Sequence, residues 1–199
     1  PWSKIIPAHR IPPRDCALIE PMSVGFHAVS RAQVTYIDIV MVIGCGMIGM
    51  GAIVRSALRG ATVIAVDLDD EKLKLAKRIG AHHTINSMTE NVHECLTKIT
   101  EGLGPDVVIE AVGSPATYVM AVNEVGFTGR VVCIGYAKSE VSFQTKYFVQ
   151  KELDIRGSRN ALPTDFRAVI RYMEQGTYPK DEFISKVVKP EAPIQAMKE

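Results

Sequence analysis

The stretch IDIVMVIGCGMIGMGAIVRSALRG, residues 37–60, limits most tightly what this chain folds into. An apolar run of strand length, DIVMVIG, meets glycines spaced G-x-G-x-x-G at Gly44, Gly46 and Gly49. A helical pattern follows from Met47 to Leu58, with Gly60 past its end. In such a strand–turn–helix unit each glycine has a task. Gly44 permits the tight turn, Gly46 lets the backbone approach a pyrophosphate without a Cβ in the way, and Gly49 lets the helix pack on the strand. The helix N-terminus then offers free N–H groups and a partial positive charge to phosphates. A lone G-x-G-x-x-G is a weak signal. Here an acid beyond it agrees: Asp67 closes TVIAVD, a second strand. A carboxylate there accepts hydrogen bonds from adenosine ribose hydroxyls and repels a 2′-phosphate. The competing reading leaves Asp67 only the capping of the next helix.

Strands and helices alternate onward from this unit. Residues 1 to about 15 hold four prolines and no clean period, an irregular lead-in, and ALIEPMSVGFHAVSRA (17–32) turns helical after Pro21. Asp69 to Ile79 reads as a helix ended by Gly80, with Asp69 or Asp70 as N-cap. HTIN is a short strand, Glu90 to Glu101 a helix, DVVIEAVG a strand, Pro115 to Val125 a helix and RVVCIG a strand. Val/Ile strands alternating with amphipathic helices predict a parallel sheet covered on both faces, an α/β fold. VSFQTKYFVQKELDIRGS then gives a short helix or turn and a strand, LDIRG, followed by a helix over Thr164 to Gln175. FISKVV reads as a further strand and PEAPIQAMKE as a helix start. EAVGSP and CIGYAK both end strands with a glycine, either to present backbone to a ligand at the carboxyl ends or simply to break the strand.

Composition narrows the partners. A net charge of +1 with scattered Lys and Arg gives no field for nucleic acid, so none is expected. The longest apolar run, Ile37 to Val54, carries Asp38 and four glycines, so no membrane span is expected. The first residues, PWSKIIPAHRIPPRD, lack the apolar segment of a signal peptide. Cys16, Cys45, Cys95 and Cys133 form no C-x-x-C pair and read as free thiols in a reducing cytoplasm. His27, His82, His83 and His93 read as non-ligands, since no pair flanks an acid at i, i+4 on a helix.

The concatenation IEPMSVGFHAV, VMVIGCGMIGMGAI, VIAVDLDDEKLKLAKRIGAHHTIN, GPDVVIEAVGSPAT, GRVVCIG and ELDIRGS resembles the medium-chain, zinc-dependent alcohol and polyol dehydrogenases, which include sorbitol and threonine dehydrogenases. Within them it is most similar to the L-galactonate and L-idonate 5-dehydrogenase kind. The resemblance implies two domains, a GroES-like catalytic one and a Rossmann one with a doubly wound parallel sheet. Residues 1–32 would be lead-in and linking helix, 33–177 the Rossmann NAD-binding domain, and 178–199 the start of the return to the catalytic domain. The catalytic domain is largely absent: neither its zinc cysteine, nor its His-Glu pair, nor the four-cysteine structural lobe is here. The chain therefore reads as an excised domain or part of a longer one, inactive alone.

The resemblance also assigns residues. Gly44, Gly46, Met47, Ile48 and Gly49 form the pyrophosphate turn, Asp67 takes the ribose and Lys72 lies beside the adenosine. Val112, Ile134 and Gly135 line the cofactor, while Ser158, Arg159 and Asn160 sit by the nicotinamide. Glu20 matches the position from which polyol dehydrogenases direct a carboxylate at the zinc or its water; without the family it is a helix-start acid. Sorbitol dehydrogenases carry Phe-Arg where this chain has Arg159-Asn160. Arg159 either meets a surface acid or the cofactor, or receives the carboxylate of a sugar acid. The implied reaction oxidises a secondary alcohol of a polyol or sugar acid, with zinc lowering the alcohol pKa and hydride passing to NAD. Alternatives are a zinc-free, NADPH-dependent quinone-reductase-like enzyme, a non-catalytic NAD-binding domain, and a methyltransferase. A homodimer or homotetramer is expected, paired through the edge strand at Leu153 to Ser158 or just after it.

Overall fold

The computed structural model describes residues 5–184, 186 and 187. Six parallel strands, β1 (Ile39–Ile43), β2 (Thr62–Asp67), β3 (His83–Asn86), β4 (Val107–Glu110), β5 (Arg130–Cys133) and β6 (Asp154–Gly157), form one sheet in the order β3-β2-β1-β4-β5-β6. This is the doubly wound Rossmann arrangement expected, with the direction of winding reversing between β1 and β4. The helices are α1 (Pro13–Cys16), α2 (Ile19–Arg31), α3 (Met47–Leu58), α4 (Asp70–Arg78), α5 (Val92–Ile99), α6 (Pro115–Glu124), α7 (Lys146–Gln150), α8 (Pro163–Glu174) and α9 (Lys180–Phe183). Among the described residues no helix is long and apolar enough to cross a membrane.

Alternate strand residues feed two cores. Val40, Val42, Val63, Ala65, Val107 and Ile109 join the side chains of α2, α3 and α4 on one face. Met41, Ile43, Ile64, Val66 and Val108 join Leu96 of α5 and Ala121 of α6 on the other. That is why β1, β2 and β4 read as nearly unbroken apolar runs: both of their faces are covered. A third cluster ties Ile19, Met22 and Phe26 of α2 to Val169 and Met173 of α8.

Helices α2 and α3 touch through their backbones. A Cβ on Gly25 would fall 2.2 Å from the carbonyl oxygen of Ile48, and one on Gly51 would fall 2.6 Å from that of Met22. Only glycine at both positions allows this approach.

Several boundaries depart from expectation, each for a local reason. Helix α2 begins at Ile19, before Pro21, which sits in the first turn where an amide hydrogen has no helical partner anyway. Helix α5 is shorter than Glu90 to Glu101: Asn91 caps it by accepting the Glu94 N–H, and the Glu90 carboxylate instead receives the Asn86 N–H. The strand in DVVIEAVG stops at Glu110, because the next residues curl over its carboxylate. No strand forms over the described part of FISKVV; Phe183 closes α9 and packs, with Ile184, against the α2–α8 cluster. The helix start in PEAPIQAMKE lies outside the described residues.

Candidate functional site

The turn after β1 is built as the glycine spacing requires. Gly44 (φ 94°) turns the chain, with its N–H donated to Val66 O at 2.8 Å. A Cβ on Gly49 would lie 1.8 Å from Gly44 O, so helix and turn interlock there. At Gly46 the opposite holds: a Cβ would meet nothing within 4 Å, and the residue is exposed. Gly46 is also the N-cap of α3, which has no side-chain cap and no acid in its first turn. The helix thus starts with bare, outward N–H groups and no competing negative charge, the setting that suits a phosphate. Met47 and Ile48, half-buried, are the first two residues of that helix.

Asp67 stands at the carboxyl end of β2. Its Oδ2 accepts the Cys45 N–H at 2.6 Å, and its Oδ1 accepts those of Leu68 and Asp69 at 2.8 and 3.1 Å. The capping of α4 belongs to Asp69, whose Oδ1 accepts from Glu71 at 2.8 Å. The capping alternative for Asp67 therefore fails. Lys72, exposed in the first turn of α4, is close enough to pull against the upward shift of Cys45.

Across the switch point lies a cleft of about 330 Å³ at the carboxyl ends of β4, β5 and β6. It brings together Ile48, Val112, Ile134, Gly135, Ser158, Arg159 and Asn160, with Val24, Ala111 and Tyr136 in addition. Ser158 is buried, and its Oγ has no hydrogen-bond partner among the described residues. Asn160 takes a left-handed backbone (φ 58°). Arg159 is exposed and meets no acid among the described residues, so its pairing with a surface carboxylate is not found. The segment leaving the cleft is pinned by Asp165, which accepts from Leu162 N–H at 3.0 Å and pairs with His27 Nδ1 at 2.9 Å.

Glu20 is placed elsewhere. It is exposed in the first turn of α2 and lines a separate apolar hollow of about 660 Å³ with Cys16, Ile19, Ala161, Phe166 and Ile170. The two hollows adjoin where Asn160 runs into Ala161.

The described residues fit a dinucleotide and do not fit a zinc ion. For the first, the open face at Gly46, the bare start of α3 and the orphaned Ser158 hydroxyl all await polar partners. For the second, no three of the described His, Cys, Asp and Glu side chains gather as a ligand set. His27, His82 and His93 each have protein partners: Asp165, the Val63 N–H and Glu124. The four cysteines are free thiols. Burial first, then the Asp67 charge, pushes Cys45 up to about 12; burial and then Glu110 push Cys133 up to about 11. Neither is a thiolate nucleophile at neutral pH.

Sequence reasoning missed Glu110, fully buried at the end of β4, and Tyr118, whose hydroxyl donates to Gly135 O at 2.6 Å. The signal for Glu110 was a carboxylate in the middle of DVVIEAVG.

The family model described as zinc-binding dehydrogenase matches residues 48–175, well over half of the chain. The chain belongs to the zinc-binding dehydrogenase family. It is 37% identical over 174 residues to an erythritol/L-threitol dehydrogenase of Mycolicibacterium smegmatis, covering 86% of this chain and 48% of that protein. It is 33% identical over 186 residues to the L-galactonate-5-dehydrogenase of Escherichia coli, covering 93% of this chain and 54% of that one. Among solved structures, an alcohol dehydrogenase (rspB) of Escherichia coli CFT073 complexed with NADH superposes with a TM-score of 0.85 at 26% identity, over 97% of this chain and 57% of its own. The chain spans about half the length of the curated relatives it matches. NAD and zinc are the cofactors expected of a zinc-binding dehydrogenase of this group.

Proposed function

We propose that this chain is the NAD-binding part of a zinc-type dehydrogenase that oxidises a secondary alcohol of a polyol or sugar acid to a ketone. One observation carries the cofactor reading. Asp67 is held by a hydrogen bond from Cys45, within the turn itself, while Asp69 caps α4. A carboxylate fixed beside a phosphate turn selects a ribose with free hydroxyls over one carrying a 2′-phosphate. This disfavours the NADPH-dependent quinone-reductase alternative.

When bound, NAD supplies a nicotinamide that accepts hydride at C4. The chain's own residues bind and orient. Gly46 and the first N–H groups of α3 would hold the pyrophosphate, with Gly44, Met47, Ile48 and Gly49 shaping the turn. Asp67 would take the adenosine ribose, with Lys72 near the adenosine. Val112, Ile134 and Gly135 would form an apolar wall against the rest of the cofactor and exclude water there. Ser158 Oγ would satisfy its hydrogen bond on the nicotinamide end, with Asn160 beside it. Arg159, which lines the cleft and meets no acid among the described residues, would receive the carboxylate of a sugar acid. Zinc belongs to the part of the enzyme that residues 33–177 do not supply, and Glu20 would lend it a carboxylate from the linking helix; residues 178–199 would lead back toward that part.

The similarity to dehydrogenases of L-threitol and L-galactonate supports the substrate class. The free edge of β6 supports a homodimer, or a homotetramer built from it, and four free thiols suit the cytoplasm. Calorimetric titration of the chain with NADH tests the proposal; saturable one-to-one binding is expected, and no binding would end it. Sedimentation showing only monomer at high concentration would remove the dimer.

A further inference from the structure

Glu110 is fully buried in the middle of the sheet, in register with Ile43 of β1 and Cys133 of β5. A buried carboxylate is costly unless hydrogen bonds replace its water. Here the replacement is lopsided. Oε1 accepts three hydrogen bonds: Val112 N–H at 2.9 Å, Gly113 N–H at 2.7 Å and Thr117 Oγ at 2.8 Å. Oε2 has no partner among the described residues. All the bonding therefore goes into one feature, the curl that ends β4.

That curl touches both halves of the proposed cofactor site. A Cβ on Gly44, in the phosphate turn, would lie 2.6 Å from Val112 Cγ2, so Val112 rests on the turn. On the other side, Gly113 (φ 82°) lies against the segment after β5, where its Cβ would fall 2.6 Å from Tyr136 N. Val112 itself is 52% exposed and lines the 330 Å³ cleft with Ile134 and Tyr136. An exposed apolar side chain held in a half-buried curl needs fixing from beneath, and Glu110 is the only charged group in β4.

We infer that Glu110 is a positioning residue for the dinucleotide. Its Oε1 sets the curl at 111–113, and through it the place of Val112 and of the cleft wall on the nicotinamide side. It touches no cofactor itself. Asp67, which would take the adenosine ribose, draws its hydrogen bonds from Cys45, Leu68 and Asp69 and none from the curl, so the adenosine side depends on Glu110 far less. This rests on the proposal that the site binds NAD.

The test compares AMP with NADH. In the unchanged chain both should bind; if neither does, the cofactor reading fails rather than this one. Glu110→Ala should weaken NADH by about ten- to a hundredfold, the range for stripping hydrogen bonds from a charged acceptor, with AMP changed less than about threefold. Glu110→Gln keeps an acceptor oxygen at Oε1 and should restore NADH to within about fivefold. Thr117→Val removes one donor and leaves the carboxylate; it should weaken NADH alone by about threefold, and it decides the matter if Glu110→Ala does not fold. Unchanged NADH affinity in Glu110→Ala, or in Thr117→Val where that variant decides, overturns the inference. So does an equal loss of AMP and NADH.

Discussion

The Cys45 N–H donates to Asp67 Oδ2 at 2.6 Å, tying the phosphate turn after β1 to the acid that ends β2. One bond thus fixes the distance between two groups proposed for different parts of one ligand. With Asp67 so held, the chain should bind NAD about a hundredfold tighter than NADP, ~2.7 kcal/mol. The preference arises because a 2′-phosphate would meet a fixed carboxylate. Asp67→Ser should shrink the gap to below about tenfold. Calorimetry returning equal affinities in the unchanged chain contradicts the assignment.

Two glycines three residues apart should behave in opposite ways. Gly49→Ala drives a methyl group into Gly44 O, which is backbone and cannot swing aside; a loss of about 3 kcal/mol is expected. Gly46→Ala places its methyl in open space and should change stability by less than about 0.5 kcal/mol. It should nonetheless weaken NAD by about tenfold, because the methyl stands where the pyrophosphate approaches. Urea melts and NADH titration of the two variants separate fold from ligand.

A buried thiol, Cys45, and a half-buried one, Cys133, make alkali destabilising. Cys45 and Cys133 keep their protons to about pH 12 and 11 in the folded chain, against ordinary values near 9. Between those limits the unfolded chain releases protons that the folded chain retains, so the unfolded state binds fewer, and stability falls as pH rises. The stability is fully present below pH 9 and drains by up to about 1.4 kcal/mol per pH unit for each thiol. Cys133→Ala should flatten the decline measured by urea melts between pH 9 and 11. An unaltered slope would falsify the role given to this thiol.

Arg159 should discriminate among substrates rather than cofactors. In the full-length enzyme, Arg159→Lys loses the planar fork and should raise KM for sugar acids by about tenfold, with neutral polyols and NAD affinity nearly unchanged. If acids and polyols suffer alike and NAD weakens, Arg159 is a cofactor residue.

Where the sequence was legible, the reason was periodicity. β1 and β2 are buried on both faces, so their apolar runs and the turn between them could be read directly. Residue type and place narrowed the α4 cap to Asp69 or Asp70, and Asp69 holds it. The end of β4 could not be read so, because nothing local says that Val112 and Gly113 will turn back to bond a side chain two and three residues earlier. Likewise FISKVV has strand composition, yet in its described part Phe183 and Ile184 found apolar neighbours on α2 and α8, and packing overrode propensity there. Ser158 and Arg159 line one cleft, but only the three-dimensional arrangement shows that, among the described residues, neither side chain has a protein partner.

The backbone contact of α2 with α3 through Gly25 and Gly51 has a mechanical meaning. Helices in such contact cannot slide or tilt separately without atoms overlapping. Glu20, at the start of α2, and Gly46, at the start of α3, therefore sit on one strut of fixed length. Any opening or closing of the whole enzyme would leave this strut unbent. The spacing from Glu20 to the phosphate turn would then act as a ruler that stays the same in every state of the cycle.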